Sequence, residues 1–527
     1  MPSNRNRGAL WQALVMIGLL LSGCAVGPDF TRPQVKVSQT WLEAGDQRVK
    51  TEPVEYRNWW RVFDDPVLDQ LIARAYRENL SLKIAGVRVL EARAQLGIAS
   101  GGLYPQTQQA FGSLRYNRVS ERAPQALFSS NLNYRQSEIG LLASWELDFW
   151  GKFRRAIESA NASWFVSIAN YDSALVSLTA GVANSYIMIR TLGKRLDIAR
   201  QNVETQKESL KIAEARFQYG TASQLDVEQA KTVLFNTLAS IPVLETQLRQ
   251  ATDALNVLLG LPPTDLVDFL KDASEIPVSS AQVVVGIPAD LLRRRPDIRS
   301  AEQQAAAQCA RIGVAKADLY PAFSLTGNFG FLSSDVGNFK LSDMFQWKSR
   351  TAQMGPSFQW NILNYGRIKN NVRVEDARFQ ELLIAYQNAV LTAQQEVEDN
   401  LAAFLKAQDQ AAFLAQGVSS AKMSLDLAVL QYREGIVDFT TVLVAQQALL
   451  NGQDSLASAL GNISGSLVGV YRALGGGWEI REGKDLVPPE IKEEMRKRTH
   501  WGKLLAPASN NPSAFAEPKS SIRLPDW

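Results

Sequence analysis

The chain has 527 residues, 46% of them apolar, and sets 56 Lys and Arg against 53 Asp and Glu for a net charge of +3. That balance, interspersed along the chain, gives no basic field for nucleic acid, and no phosphate-binding P-loop pattern occurs. One histidine, His500, and two cysteines, Cys24 and Cys309, leave no donor set for a zinc site or a nucleophile–histidine triad, so an enzyme is not expected and neither is a cofactor or metal.

Residues 1–23 read as a secretory signal. Arg5 and Arg7 form its positive start, and residues 14–21 its apolar core. The segment ends Leu21-Ser22-Gly23-Cys24, the pattern of a bacterial lipobox, in which the cysteine becomes the lipid-modified N-terminus. An ordinary signal peptide with an incidental cysteine is the plainer alternative, but a small pair directly between Leu and Cys is specific. Ala25 follows where an aspartate would favour inner-membrane retention, which points to the outer membrane of a Gram-negative cell. Lipidation would leave Cys309 without a disulfide partner, as a small helix-packing residue. No other stretch approaches 18 consecutive apolar residues, so no membrane-spanning helix is expected.

Beyond this leader the chain states one pattern twice. Leu103-Tyr104-Pro105 returns as Leu319-Tyr320-Pro321, and 145–152 (WELDFWGK) as 360–367 (WNILNYGR). Phe217-Gln218-Tyr219-Gly220 aligns with Tyr432-Arg433-Glu434-Gly435, and Leu259-Gly260 with Leu474-Gly475. The offset holds at 215 or 216 throughout, which marks a tandem duplication.

Each copy predicts two strands of about ten residues. Apolar and polar residues alternate over 136–149 and over 323–331 and 351–362, and more weakly over 108–116. One apolar and one polar face fit either a soluble sheet over a core or a membrane barrel, and strand length with aromatic ends favours the barrel. A membrane barrel closes only with about eight strands or more, since an open edge in lipid leaves backbone groups unpaired. Four strands per chain therefore require several chains. Three would give twelve strands, although the strand count alone does not fix the number three.

After the second strand of each copy runs an uninterrupted helical pattern, 153–219 and 366–432. In the later one Phe379, Leu382, Tyr386, Val390, Ala393, Val397, Leu401 and Phe404 recur every three or four residues, a coiled-coil seam. At 1.5 Å per residue each helix reaches roughly 100 Å. Gly220 and Gly435 mark the reversals, and second helices run to Leu259 and Leu474. A coiled-coil scaffold would need these helices but has no use for the strands. A porin would need the strands but not the helices.

Further residues carry a resemblance. They are 24–30 (CAVGPDF), Trp59-Trp60 with 63–68 (FDDPVL), 291–298 (LLRRRPDI) and 473–478 (ALGGGW). Over about 24–480 the chain resembles outer-membrane efflux channels of the TolC type, in the lipoprotein, NodT-like branch that serves resistance-nodulation-division systems. The resemblance implies an α+β membrane protein in which each tandem repeat gives two transmembrane β-strands and long coiled-coil α-helices. As a homotrimer it would form a 12-stranded β-barrel and an α-helical tunnel. The implied parts are a signal peptide (1–23), a lipidated segment packed on the equator (24–66), two repeats (67–270 and 285–478) and a polar tail (479–527), disordered at its end. Arg295-Pro296-Asp297 reads as a structural helix start.

The resemblance also implies an adaptor in the periplasm, a pump in the inner membrane, outer-membrane lipid around the barrel, and a covalent lipid on Cys24. The adaptor would dock on the turns Tyr219, Gly220, Thr221 and Glu434, Gly435, Ile436. Asp226, Tyr432, Thr441 and Val444 would gate the tunnel entrance, with Tyr432 bonding to an acidic ring at Asp226. Asp226 alternatively reads as a helix-start charge. Where relatives commonly carry an aspartate this chain has Val444, so a ring there would close by dewetting, or Val444 simply packs in the coiled coil. The expected cargo is drugs or other small hydrophobic compounds, with metal ions next and exported peptides or proteins third. A different class, an anchored periplasmic coiled-coil lipoprotein, stays open at this point.

Overall fold

A computed structural model describes residues 25–52, 56–124, 131–266, 275–278, 281–286, 288 and 294–506. The leader, Cys24, residues 289–293 and the last part of the tail lie outside them.

The duplication is literal in length. Each repeat places a helix before its strands: α2 (Leu80–Gly101), preceded by α1 (Pro66–Glu78), and α5 (Pro296–Ala317). Strands β2 (Thr107–Arg118) and β3 (Asn133–Leu147) answer β5 (Ala322–Ser334) and β6 (Arg350–Gln359). Long helices α3 (Lys152–Gln218) and α6 (Arg367–Arg433) have 67 residues each. Return helices α4 (Gln224–Leu258) and α7 (Phe439–Ala473) have 35 each. A short helix, α8 (Pro489–Arg498), follows.

The starts have local causes. Asp65 caps α1, accepting from Val67 N at 2.8 Å and Leu68 N at 3.2 Å, with Pro66 in the first turn. Asn79 caps α2 through Leu82 N at 2.8 Å. Pro296 opens α5, and Asp297 accepts two bonds from Arg295, whose Nη1 donates to the Ala473 carbonyl at 2.6 Å. That element therefore joins the second repeat's first helix to its last.

The strands form one antiparallel sheet in the order β2-β3-β5-β6. Register puts Leu141 opposite Phe329 and Trp145 opposite Leu325, with Ala352 beyond Phe329, so the middle of one face is apolar. This face is open in the protomer, with Leu141 61%, Met354 84% and Phe358 70% exposed. The other face carries Glu138, Ser144, Thr326, Asn328 and Gln353. Strands β2 and β6 bound the sheet, and among the described residues nothing pairs with their outer edges.

The repeated motifs explain each other. The indole N–H of Trp145 donates to the Leu103 carbonyl at 3.1 Å, and Trp360, its counterpart, to Leu319 at 3.0 Å. Each Trp thus ties the base of its hairpin to the Leu-Tyr-Pro turn that launched it.

Below the sheet the helices pack on one another, and the main core lies at mid-height, around Leu175, Tyr186, Leu401, Phe404 and Val468. Trp59 stacks on Tyr471 at 5.4 Å, and the Tyr186 hydroxyl donates to Asp65 at 2.7 Å. One window of α3 reaches membrane-like apolar content, but 67% of it is buried within the protein. It is apolar because it is core.

A buried ion cluster stands beside this core. Asp172, fully buried, accepts from Arg481 on both carboxylate oxygens and from Arg299 at 2.6 Å. The Arg299 guanidinium lies 4.5 Å from the centre of the Trp478 ring. Three separate parts of the chain meet there: α3, α5 and the turn after α7.

The N-terminal segment straps the exterior. Val26 N donates to Trp150 O at 2.9 Å, and Arg155 meets Asp29 at 2.6 Å. Further along, Ser38 N meets Gln394 at 3.1 Å and Arg48 meets Asp409 at 2.9 Å. A two-residue parallel pair, β1 (Val49–Lys50) with β4 (Val283–Val284), pins the strap's lower end. The tail's first part is folded: Val487, Met495 and Leu505 are buried against Leu90 of α2.

Candidate functional site

The ends of the two helical hairpins farthest from the sheet gather the predicted turn and gate residues. Both reversals have one geometry. Tyr219, Gly220 and Thr221 N–H groups bond to Ala215, Phe217 and Arg216 carbonyls, and Glu434, Gly435 and Ile436 to Leu430, Tyr432 and Gln431. This is the Schellman arrangement, which needs a left-handed residue, and Gly220 (φ 72°) and Gly435 (φ 76°) supply it. All six turn residues are exposed, Tyr219 at 85% and Ile436 at 70%.

The restarts use one device with its parts exchanged. Ser223 caps α4 and hydrogen-bonds Asp226 three residues on, at 3.0 Å. Asp438 caps α7 and accepts from the Thr441 hydroxyl at 3.1 Å and from Thr441 N at 3.2 Å. The acid sits inside the first turn in one repeat and at the cap in the other. Aligning Asp226 with Thr441 therefore hides the second acid, Asp438, and the S-x-x-D against D-x-x-T spacing was the signal for it.

Between the hairpins Tyr432 is 4% exposed, whereas its counterpart Phe217 is 43% exposed. Tyr432 packs on Phe439 at 5.1 Å, amid Val227, Ala230, Leu425 and Val442. Its hydroxyl is buried without a hydrogen-bond partner. Burial, with the Asp226 carboxylate beside it, holds the phenol above its usual range. The structure thus places the Asp226 carboxylate beside the Tyr432 phenol.

The residue that does close the tie is Arg216, which sequence reasoning missed. It donates to the Tyr432 carbonyl, lies 4.6 Å from the centre of its ring, and bonds weakly to Thr221 O at 3.4 Å. Its aligned partner is Gln431, so the duplication gives no hint of it. Val444 stands apart, 65% exposed on α7, and is not packed within its own chain. Thr441 is occupied in its cap.

This architecture, a strand pair and a helical hairpin in each half, matches a known protein family in both halves. The profile described as outer membrane efflux protein covers residues 71–261 and again 287–476. The chain belongs to the outer membrane efflux protein family.

The chain is 32% identical over 466 residues to nodulation protein T of Rhizobium leguminosarum bv. viciae, covering 88% of this chain and 93% of that protein. It is 33% identical over 481 residues to the pyoverdine export outer membrane protein OpmQ of Pseudomonas aeruginosa, covering 89% and 97%. Among solved structures, the outer-membrane channel OprN superposes with a TM-score of 0.80 at 31% identity, over 86% of this chain and all of that one. CusC gives 0.73 at 28%, with the same coverage. As a member of this family the protein is an outer-membrane exit channel for efflux, spanning the outer membrane and extending into the periplasm. The anchored-scaffold alternative falls with that result.

Proposed function

We propose that three copies of this chain join edge to edge into a twelve-stranded barrel above a helical tunnel. This conduit would conduct substrate passively from an inner-membrane pump and a periplasmic adaptor to the exterior. The observation that carries the reading is the sheet itself. Four strands with two unpaired edges cannot stand in lipid alone, and β6 of one copy against β2 of the next pairs both edges while the exposed apolar face meets the lipid. Tyr219, Gly220 and Thr221 with Glu434, Gly435 and Ile436 form the adaptor's docking points, because they are the exposed tips farthest from the membrane, with Tyr219 and Ile436 their large apolar side chains.

The entrance gate consists of Asp226, Tyr432, Thr441 and Val444, with Arg216 and Asp438 added on the geometry above. A covalent lipid on Cys24 is supported by the strap, which starts with Ala25 against Gly151, just below the sheet. Drugs and small hydrophobic compounds are the proposed cargo. Names such as the toluene efflux pump outer membrane protein of Pseudomonas putida support that class, and the pump sets the choice within it. No nucleic acid partner is proposed.

In-cell crosslinking followed by mass spectrometry of the extracted complex tests this reading. Three copies with one adaptor type and a proton-driven pump are expected. A single copy with no adaptor overturns it. Tyr219→Asp with Ile436→Asp is expected to abolish adaptor capture while leaving the trimer intact.

A further inference from the structure

The apolar face of the sheet ends in cations, and only at one end. Strand alternation puts Arg118 on the face of Leu114 and Tyr116, and register sets Arg135 directly opposite Tyr116. Arg350 lies opposite Phe331, which in turn faces Ile139. All three arginines therefore share the outward face with Leu141, Phe329 and Met354, at the end that bears the hairpin loops. At the opposite end of that face stand Gln108, Leu147, Phe323 and Phe358, all uncharged.

The loop from β5 to β6 adds to this rim. Ser333 shares the face of Phe331, and its hydroxyl donates to the Lys340 carbonyl at 2.8 Å, so the loop folds back onto the outside of the sheet. It carries Lys340 and Lys348 and presents Phe339, Phe345 and Trp347 at 66–72% exposure. The Arg350 guanidinium lies 4.7 Å from the centre of the Trp347 ring. This loop carries two carboxylates, and both are engaged. Asp335 accepts Arg135 N at 2.6 Å, and Asp343 accepts Lys340 N at 3.2 Å and Gln346 Nε2 at 3.0 Å. Among the described residues none of the five cations forms an ion pair.

We propose that this rim binds the phosphates of a phosphorylated glycolipid in the outer leaflet. Arginine forks match phosphate oxygens in pairs, and exposed aromatic rings settle where acyl chains meet headgroups. Soluble phosphate would satisfy the cations but leave three large aromatics in water. The sidedness of the charge fits a membrane whose anionic phosphates are concentrated in one leaflet. The inference rests on the barrel reading above.

The test uses the full-length protein purified in detergent, with native mass spectrometry of bound lipid. The probes are bisphosphorylated lipid A, a fully dephosphorylated form with the same acyl chains, and inorganic phosphate. Wild type is expected to retain the bisphosphorylated lipid, and Arg118→Gln/Arg135→Gln/Arg350→Gln to bind it about tenfold or more weakly. The dephosphorylated form should bind both proteins alike and weakly. Equal retention of bisphosphorylated lipid by wild type and variant overturns the proposal, as does competition by inorganic phosphate at equal concentration. Trimer mass and single-channel conductance are read on the same samples. If both are lost in wild type the barrel reading fails, whereas intact channels with indifferent lipid binding sink the rim alone. Should the triple variant not fold, Lys340→Gln/Lys348→Gln, both on the loop, is expected to weaken retention in the same direction, and unchanged retention there counts equally against the rim.

Discussion

Arg216, on the first long helix, donates to the main-chain carbonyl of Tyr432 on the second and covers the ring of the same residue. One side chain thereby holds two helical hairpins of a single chain at their free ends. If the proposed entrance opens by swinging one hairpin outward, it must break this tie.

Arg216→Ala is therefore expected to loosen the tip. A charge-assisted hydrogen bond with its ring contact is worth about 2 kcal/mol, which corresponds to a roughly thirtyfold larger open population. Planar-bilayer recordings without adaptor should show higher resting conductance. Conductance equal to wild type would mean that the tie carries no gating energy.

Val444→Asp addresses the other gate residue. Val444 is exposed in the single chain, and the proposed trimer would bring three copies to one level of the tunnel. A carboxylate ring there should draw cations and raise the cation-to-anion permeability ratio several-fold. An unchanged ratio would place Val444 away from the constriction, as an ordinary packing residue between protomers.

Asp172→Ala removes the acid shared by Arg481 and Arg299. Stranding buried arginine charge costs about 3–5 kcal/mol, far more than the net worth of the pairs themselves. Limited proteolysis should cut the variant near residues 478–481 under conditions that spare wild type. If Asp172→Ala resists protease like wild type, water reaches the cluster and the burial argument fails.

Cys309 is 1% exposed, and burial, with Glu158 nearby, pushes its thiol up to about 11. At neutral pH it should stay protonated and react with maleimide only after denaturation. The denatured, mature protein should then give one thiol per chain when Cys24 carries lipid and two when it does not. Its thiol lies 3.6 Å from the Pro28 carbonyl oxygen, and rapid labelling of the folded protein would contradict that packing.

Much of the fold could be read directly. Period-two alternation over 136–149 and 323–331 and the seam from Tyr386 to Phe404 report which face is covered, and β3, β5 and α6 follow. The same signals say nothing of what does the covering. For that reason the packing of the N-terminal segment followed only from the resemblance, and the tail packed on α2 was out of reach, since its few apolar residues, Val487, Met495 and Leu505, are scattered through a polar segment. At the tip the turns were legible because glycine is required there. Arg216 was not, because a duplicated sequence advertises what its halves share, and this contact exists only where they differ.

The matched lengths of the helices have a bearing on how such proteins change. With 67 residues in each long helix and 35 in each return, the two hairpins end level only while all four agree. A deletion in one repeat would leave a step at the mouth, and a shift that is not a whole number of heptads would rotate the seam away from its neighbour. The chain therefore works as a ruler: its reach adjusts only in seven-residue increments made in both halves at once. Loops on the far side of the sheet are free of that arithmetic, and insertions there change nothing below.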